Sequence, residues 1–216
     1  MISDPQTLAG EVLGRLEQKY PNAKYELNWD NPWQLLIATI LAAQATDERV
    51  NSVTPTLFAK WPTPQAMVDA DQAELEQVLT PTGFFRRKAK AVKATSQGLI
   101  DLFGGEVPKT VDELVQLSGV ARKTANVVLN TAFDIPSGVI VDTHVARVSR
   151  RMGLTDLEDP DKIEGDLMKI VPQSRWTFFG PAMVLLGRYI CTSREAKCSE
   201  CPLSEVCGKR FLAPAS

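Results

Sequence analysis

The 216-residue sequence lacks several features that define common classes of protein. Its 24 basic residues are nearly balanced by 26 acidic ones, so the net charge of −2 is far from the strongly basic charge typical of nucleic-acid-binding domains. Its longest strongly apolar run, residues 35–43, is too short to span a bilayer. The first residues show neither the basic patch nor the apolar run of a signal peptide. The sequence therefore predicts a cytoplasmic protein with no membrane association, in which any contact with nucleic acid uses a local patch.

Cysteine is missing from most of the chain. All four cysteines lie near the end of the sequence, at Cys191, Cys198, Cys201 and Cys207. Clustered cysteines in an intracellular chain indicate metal or redox chemistry rather than disulfides. Four thiolates within so short a span can bind either zinc or a [4Fe–4S] cluster, and the chemistry of the ligands alone does not choose between them.

Strand signals are also scarce. Only residues 139–141 look like a strand, and three residues are too few to make a sheet. Elsewhere the apolar residues follow helical spacing, and capping residues, several of them followed by proline, mark the starts of helices. The predicted starts are Asp4, Asn31, Asp71, Thr110, Asp159 and Ser174. The predicted fold class is therefore all-α, with packed helices joined by short loops.

Basic residues are concentrated in a few places despite the low net charge. Residues 84–93 contain five of them and no acid: Arg86, Arg87, Lys88, Lys90 and Lys93. A run of this kind usually marks a solvated helix face. Contact with phosphates is the alternative interpretation.

Residues 114–129 read as a helix, a tight turn and a second helix. The first helix is predicted to end near Leu117, and the second to begin at Arg122. Such a turn presents unpaired backbone N–H groups and the positive end of a helix dipole, where a phosphate can bind without any base being read. The alternative is an ordinary connection between two core helices.

Lys123 falls in the first turn of this second helix. The dipole disfavours a cation there, and any burial would act in the same direction, so the position favours a neutral amine. A neutral amine is a nucleophile that can form a Schiff base with a sugar aldehyde. A purely structural lysine would be better placed at a helix C-terminus.

Three segments resemble the endonuclease III family of helix-hairpin-helix DNA glycosylases. They are Leu-Ala-Ala-Gln-Ala-Thr-Asp at 41–47, Leu-Ser-Gly-Val-Ala-Arg-Lys-Thr-Ala-Asn-Val-Val-Leu at 117–129 and Val-Asp-Thr-His-Val-Ala-Arg-Val at 141–148. With the four cysteines, the resemblance extends from about Pro32 to Cys207. It implies a base-excision repair enzyme, a bifunctional DNA glycosylase and AP (apurinic or apyrimidinic) lyase that removes oxidised pyrimidines from duplex DNA.

The resemblance also implies an architecture and a set of partners. Residues 25–135 would form a barrel-like helical bundle, and residues 1–24 with 136–216 an iron–sulfur domain, with a cleft between the two. The cofactor would be a [4Fe–4S] cluster held by the four cysteines. The partner would be duplex DNA with damaged bases or abasic sites, bound by a monomer that is nucleoid-associated in a prokaryote.

Particular residues acquire roles through the same resemblance. Lys123 matches the lysine that attacks C1′ of the damaged nucleotide, and Asp142 matches the aspartate that assists it. From the sequence alone, Asp142 would be read as a helix N-cap. β-Elimination from the resulting imine breaks the strand 3′ to the lesion.

Other positions match DNA-binding residues of the family. Gln44 and Phe84 match residues that fill the gap left when the damaged base is taken out of the stack. Phe84 has a core position as its alternative, since aromatic residues are mostly buried. The hairpin contacts to DNA would be made by Gly119, Ala121, Arg122 and Thr124.

The hairpin departs from the family pattern at two positions. Ala121 stands where the family normally has a second glycine, and Ser118 replaces the usual proline. A left-handed backbone at Ala121 would cost about 1–2 kcal/mol, and its methyl group could crowd a phosphate. We therefore expect weaker or altered DNA engagement than in a typical member.

Rival interpretations follow from the same features. An adenine glycosylase of the superfamily, which is monofunctional, would need a glutamate where this chain has Thr39, and would lack Lys123. It would also carry a further domain beyond the cysteines. A non-catalytic protein that binds DNA lesions around a structural cluster is a second alternative, and a zinc-bearing binding module is a third. His144, the only histidine, is expected to be structural.

Overall fold

A computed structural model of the protein describes Ile2 and residues 4–211, and these residues form α-helices and short 3-10 turns without a β-strand. The helices are α1 Pro5–Lys19, α2 Pro32–Leu41, α3 Asp47–Lys60, α4 Pro64–Asp69, α5 Gln72–Leu79, α6 Phe85–Phe103, α7 Val111–Leu114, α8 Arg122–Ala132, α9 Thr143–Met152, α10 Pro160–Ile170 and α11 Trp176–Tyr189. The all-α prediction is confirmed. Within the same residues, no helix is both long and apolar enough to cross a membrane.

The chain divides into two compact units. One is Glu26–Ile135, and the other is formed by the chain on either side of it. The first unit is built around α2, whose side chains Leu35, Leu36 and Ile37 are completely buried. Helix α2 contacts α3, α6 and α8, and the long α6 also contacts α4 and α5.

The second unit is built around α11. This helix contacts α1 and α9, and α1 also contacts α10. Its core contains Leu16, Val148, Phe179 and Met183, none of which is appreciably exposed. Residues 191–207, which contain the four cysteines and are called the cysteine loop below, follow α11 almost directly. The packing of α11 in this core therefore fixes the place from which the loop starts.

Most helices begin at a capping side chain, as predicted. Asp4, Asn31, Asp71, Thr110 and Asp159 each accept a hydrogen bond from a backbone N–H of the first turn. The structure adds caps at Thr46 and Thr63, and Asp142 caps α9, as its position predicts. Within the described part of the chain, α6, α8 and α11 begin without a side-chain cap.

Three local predictions are wrong. Ser174 caps no helix, because it lies within the 3-10 turn Gln173–Arg175 that leads directly into α11. Helix α7 ends at Leu114, since the backbone then closes i→i+3 turns, including one from the Leu117 N–H to the Leu114 carbonyl. Residues 139–141 were predicted to be a strand, but their backbone is irregular. Their β-branched side chains are buried in the core without a partner strand.

Candidate active site and cysteine cluster

The hairpin between α7 and α8 is a tight turn held against α6. Gly119 has φ +82°, a left-handed conformation that glycine adopts without strain. The Thr95 hydroxyl on α6 donates a hydrogen bond of 2.6 Å to the Ser118 carbonyl. The Val120 N–H donates to the Leu117 carbonyl and closes the turn.

Ala121 does not have the strained backbone considered from the sequence. Its φ and ψ are −89° and 167°, an ordinary extended conformation that any residue adopts. It precedes α8, and its carbonyl accepts the N–H of Ala125. The backbone penalty considered for an alanine here therefore does not arise, and at this position crowding by the methyl group is the remaining reason for altered DNA engagement.

Helix α8 presents an open N-terminus. Among the residues that the structure describes, no side chain caps this helix, and its first turn contains no acidic residue. Arg122 and Lys123 are exposed at this end, and Thr124 is half-buried. Lys123 lies in the first turn, as predicted. Because its side chain is exposed, burial does not add to the effect of the helix dipole on the amine. This end of the helix has the polarity and the free surface that an anion requires.

Gln44 and Phe84 share an unusual conformation. Their φ angles are +56° and +47°, and both side chains are exposed. Left-handed backbone is uncommon outside glycine and is uncommon above all for a bulky residue such as phenylalanine. Phe84 is 64% exposed, so its interpretation as a core aromatic is wrong. Strained, exposed side chains of this kind are concentrated at functional sites.

The basic stretch at residues 84–93 is not uniformly a solvated face. Arg86, Arg87 and Lys90 are exposed, in agreement with that interpretation. Lys88 is buried, and its Nζ donates to the Thr82 carbonyl at 2.7 Å. Lys93 is half-buried and donates to the Ala70 carbonyl at 2.6 Å. Sequence patterning could not separate these lysines, because their spacing suits both faces of α6.

Asp142 caps α9, as its position in the sequence predicts. Its Oδ1 accepts hydrogen bonds of 2.8 Å from the backbone N–H groups of His144 and Val145. The residue is half-buried. A single carboxylate oxygen makes both cap bonds, and the other oxygen takes no part in the cap.

The imidazole of His144 contacts Arg147. Its Nδ1 lies 3.1 Å from an Arg147 Nη, and a guanidinium can only donate, so Nδ1 is the acceptor. Arg147 also donates to the carbonyls of Gly187 and Cys191, at 2.8 and 3.1 Å. This guanidinium therefore links α9 to the end of α11 and the start of the cysteine loop, a connection that no sequence signal indicated.

The four cysteines line a single cavity beside α9 and α11. All four are free thiols and half-buried. Burial raises the pKa of the Cys201 and Cys207 thiols above the usual value, so four thiolates here would need a cationic centre among them. Across the part of the chain that the structure describes, no three thiol, imidazole or carboxylate groups converge closely enough to hold a single metal ion.

Hydrogen-bond donors lie beside two of the thiol sulfurs. The Lys209 N–H donates to Cys207 Sγ at 3.3 Å, and Arg151 Nη1 lies 3.4 Å from Cys191 Sγ. Arg151 also donates to the Thr192 carbonyl at 2.6 Å. The residues therefore fit an anionic sulfur-ligated group, because such donors stabilise negative charge on sulfur.

Comparison with known proteins identifies the family. A family model described as an HhH-GPD superfamily base excision DNA repair protein matches residues 37–173. Endonuclease III of Synechocystis sp. is 49% identical, over 92% of this chain and 91% of its own length. Endonuclease III of Bacillus subtilis is 42% identical, over 90% and 89%. This chain belongs to the endonuclease III family.

Structural comparison agrees with this identification. A solved structure of a trapped covalent intermediate between endonuclease III and DNA superposes with a TM-score of 0.90, at 40% identity and over 97% of each chain. The resemblance seen in the sequence is confirmed, and the endonuclease III family consists of DNA glycosylases and AP lyases of base excision repair. The chain is accordingly an enzyme whose partner is DNA.

Proposed function

We propose that this endonuclease III family member removes oxidised pyrimidines from duplex DNA and cleaves the strand, with Lys123 as the nucleophile. The observation that carries the proposal is the placement of Lys123. Its amine is exposed in the first turn of an uncapped helix, directly after the tight turn at Gly119. An accessible amine beside a phosphate-binding helix end can reach a sugar whose backbone is held there.

The reaction follows from the chemistry of an amine and a sugar carbon. The nitrogen lone pair of Lys123 attacks C1′ and the glycosidic bond to the base breaks, and the departing base takes one of the two protons now on nitrogen. The C1′–O4′ bond then breaks, the remaining proton passes from nitrogen to O4′, and nitrogen and C1′ are left joined as an imine. Removal of a proton from C2′ then expels the 3′ phosphate by β-elimination.

Asp142 supplies the carboxylate that assists, by stabilising positive charge on the sugar. Its Oδ1 is held by the two backbone N–H groups of the α9 cap, which orients the carboxyl group. Since the cap uses one oxygen, the residue can serve the helix and the reaction together.

DNA is held mainly through its backbone. Gly119, Ala121, Arg122 and Thr124 lie at the open end of α8, where backbone N–H groups and positive charge suit a phosphate. Gln44 and Phe84 are exposed in left-handed conformations and suit insertion into the stack where the damaged base leaves.

We further propose that the two compact units act as two domains, in a cytoplasmic monomer that works on the nucleoid.

The cysteine cavity is proposed to hold a [4Fe–4S] cluster, with Cys191, Cys198, Cys201 and Cys207 as ligands. The four thiols line one cavity, and four sulfur ligands suit either a [4Fe–4S] cluster or zinc, so membership of the endonuclease III family is what favours the cluster. When bound, the cluster would cross-link the loop after α11 and stabilise it. Iron and sulfide analysis of the purified protein distinguishes it from a zinc site.

The proposal is tested by borohydride trapping on duplex DNA that carries a thymine glycol or an abasic site. The native protein should form a covalent adduct, and Lys123→Ala should form none. Lys162→Ala is the matched control, because Lys162 is also exposed in a first helical turn, but that turn is capped by Asp159. An adduct that survives Lys123→Ala would remove Lys123 as the nucleophile, and a native protein that binds the lesion without any adduct would indicate a monofunctional glycosylase or a lesion-binding protein.

A further inference from the structure

Lys88 is a charged residue in an apolar setting. It lies in the second turn of α6 and is only 5% exposed. In the described part of the chain its ammonium donates to the Thr82 carbonyl at 2.7 Å, and no carboxylate is paired with it. Burial lowers the pKa of this lysine below the usual value. Burying an ammonium without a counter-charge is unfavourable, so the bond to Thr82 must serve the local structure.

The segment that Lys88 holds is the one that carries Phe84. Thr82 is buried, and its hydroxyl donates to the Leu79 carbonyl at 2.8 Å. Gly83 and Phe84 follow with φ angles of +68° and +47°, so the backbone is left-handed at two consecutive residues. A phenylalanine keeps such a conformation only when its surroundings fix it.

Two hydrogen bonds from Lys88 go to this stretch of chain. Its side chain bonds the carbonyl of Thr82, immediately before Gly83. Its backbone N–H bonds the carbonyl of Phe84 itself at 3.0 Å. Among the described residues, no side chain caps the start of α6, so no cap holds Gly83 and Phe84 in place of Lys88. The Lys88 side chain therefore fixes the residue before the left-handed segment, and the first backbone hydrogen bond of α6, made at the same position, fixes the end of that segment.

We propose that Lys88 is a positioning residue that holds Phe84 outward, in the conformation that enters the DNA stack. This inference rests on the proposed role of Phe84 as the residue that fills the gap left by the damaged base. Lys88 itself would not touch the DNA, because its ammonium is buried against Thr82. Its effect on excision should pass entirely through Phe84.

The test is a double-mutant cycle between Lys88→Met and Phe84→Ala. Methionine keeps most of the buried apolar volume and removes the ammonium donor. Lys88→Met should slow single-turnover excision from duplex DNA on the order of 10-fold, since small misplacements of a positioned group have effects of this size or more. It should also reduce the fluorescence increase of a 2-aminopurine placed opposite an abasic-site analogue, which reports unstacking directly. On the Phe84→Ala background both effects should disappear.

Lys93→Met is the matched control. Lys93 lies on the same helix and also donates through Nζ to a carbonyl, but that carbonyl belongs to Ala70 and not to the segment that carries Phe84. Its replacement should lower stability without changing the 2-aminopurine signal. If Lys88→Met proves too unstable to purify, Lys88→Gln keeps an N–H donor on a shorter side chain and enters the same cycle.

The outcomes separate this inference from the proposed function. Additive effects of Lys88→Met and Phe84→Ala, or a Lys88→Met protein with normal unstacking, would overturn the positioning role. Trapping of the native protein on single-stranded abasic DNA, where no stacked partner leaves a gap to fill, tests the lyase chemistry separately. Failure there would overturn the proposed function, whereas normal trapping with an additive cycle would overturn only the role of Lys88.

Discussion

The candidate functional residues of the two units differ in how firmly the surrounding structure holds them. In Glu26–Ile135, Gln44, Phe84 and Lys123 are exposed, and two of them have left-handed backbones. In the flanking unit, Asp142 and the four cysteines are half-buried, and Asp142 is bonded to backbone N–H groups. The first set is arranged to meet a partner, and the second set is arranged to keep charge in a fixed place.

The starts of α8 and α9 express the same difference. Helix α8 begins at Ala121 without a cap and carries Lys123 in its first turn, while α9 begins at Asp142, which caps it twice. An uncapped helix end with cations is less stable than a capped one, and an anion bound there removes the deficit. Replacements in the first set should therefore change activity more than stability, and replacements in the second set should change both.

The largest effect is expected from Cys201→Ala, which removes a ligand of the proposed cluster. Loss of a structural metal centre costs several kcal/mol or more, so the variant should lose its brown colour and melt at a much lower temperature. Hydrogen exchange should rise in α9, α11 and the cysteine loop first. Ser204→Ala is the control, because Ser204 lines the same cavity without being a thiol. A Cys201→Ala protein with full iron content would contradict the ligand assignment.

Asp142→Asn should separate the charge of this residue from its capping role. Asparagine caps helices as well as aspartate does, so the melting temperature should hardly change. The rate of excision should fall by roughly 10²-fold, within the range for loss of a group that stabilises charge in the transition state. Asp142→Ala should lose about 1 kcal/mol of stability in addition. Single-turnover kinetics measures the excision rate, and thermal melting measures the stability. An Asp142→Asn variant that excises at the native rate would show that Asp142 only caps α9.

Much of this arrangement could be predicted from the sequence because it depends on local chemistry. Capping at Asp4, Asn31 and Thr110 needs only a side-chain oxygen near the first N–H groups, and helical spacing of apolar residues gave the fold class. The first-turn position of Lys123 followed from the turn before it.

What could not be predicted depends on tertiary contacts. The burial of Lys88, the exposure of Phe84 and the bond from Thr95 to Ser118 are set by how α6 packs, and a run of basic residues does not show this. Arg147 and Arg151 bond to residues of the cysteine loop that are more than 40 residues away in sequence, so no local sequence pattern predicts these contacts.

Gly119→Ala should have a moderate effect on the hairpin. Its φ of +82° is left-handed, and alanine there costs about 1–2 kcal/mol. The added methyl group would meet Ala91 Cβ at an ordinary 3.6 Å, so the conformation and not a clash is the cause. Chemical denaturation should show the loss, and binding to an abasic-site duplex should weaken with it. Unchanged stability would mean that the turn relaxes to another conformation.

Ala121→Gly should have the smallest effect, although it restores the glycine normal for the family. Ala121 is in ordinary extended backbone, so glycine relieves no strain and should lower stability by less than about 1 kcal/mol through the added freedom of the unfolded chain. Binding to abasic DNA, measured by titration at fixed salt, then isolates the methyl group. Tighter binding by the glycine variant would show that the methyl crowds a phosphate at the open end of α8. Equal binding would show that the methyl group does not crowd the phosphate. Alanine would then be tolerated at position 121 and not at position 119 because the backbone is extended at the first and left-handed at the second.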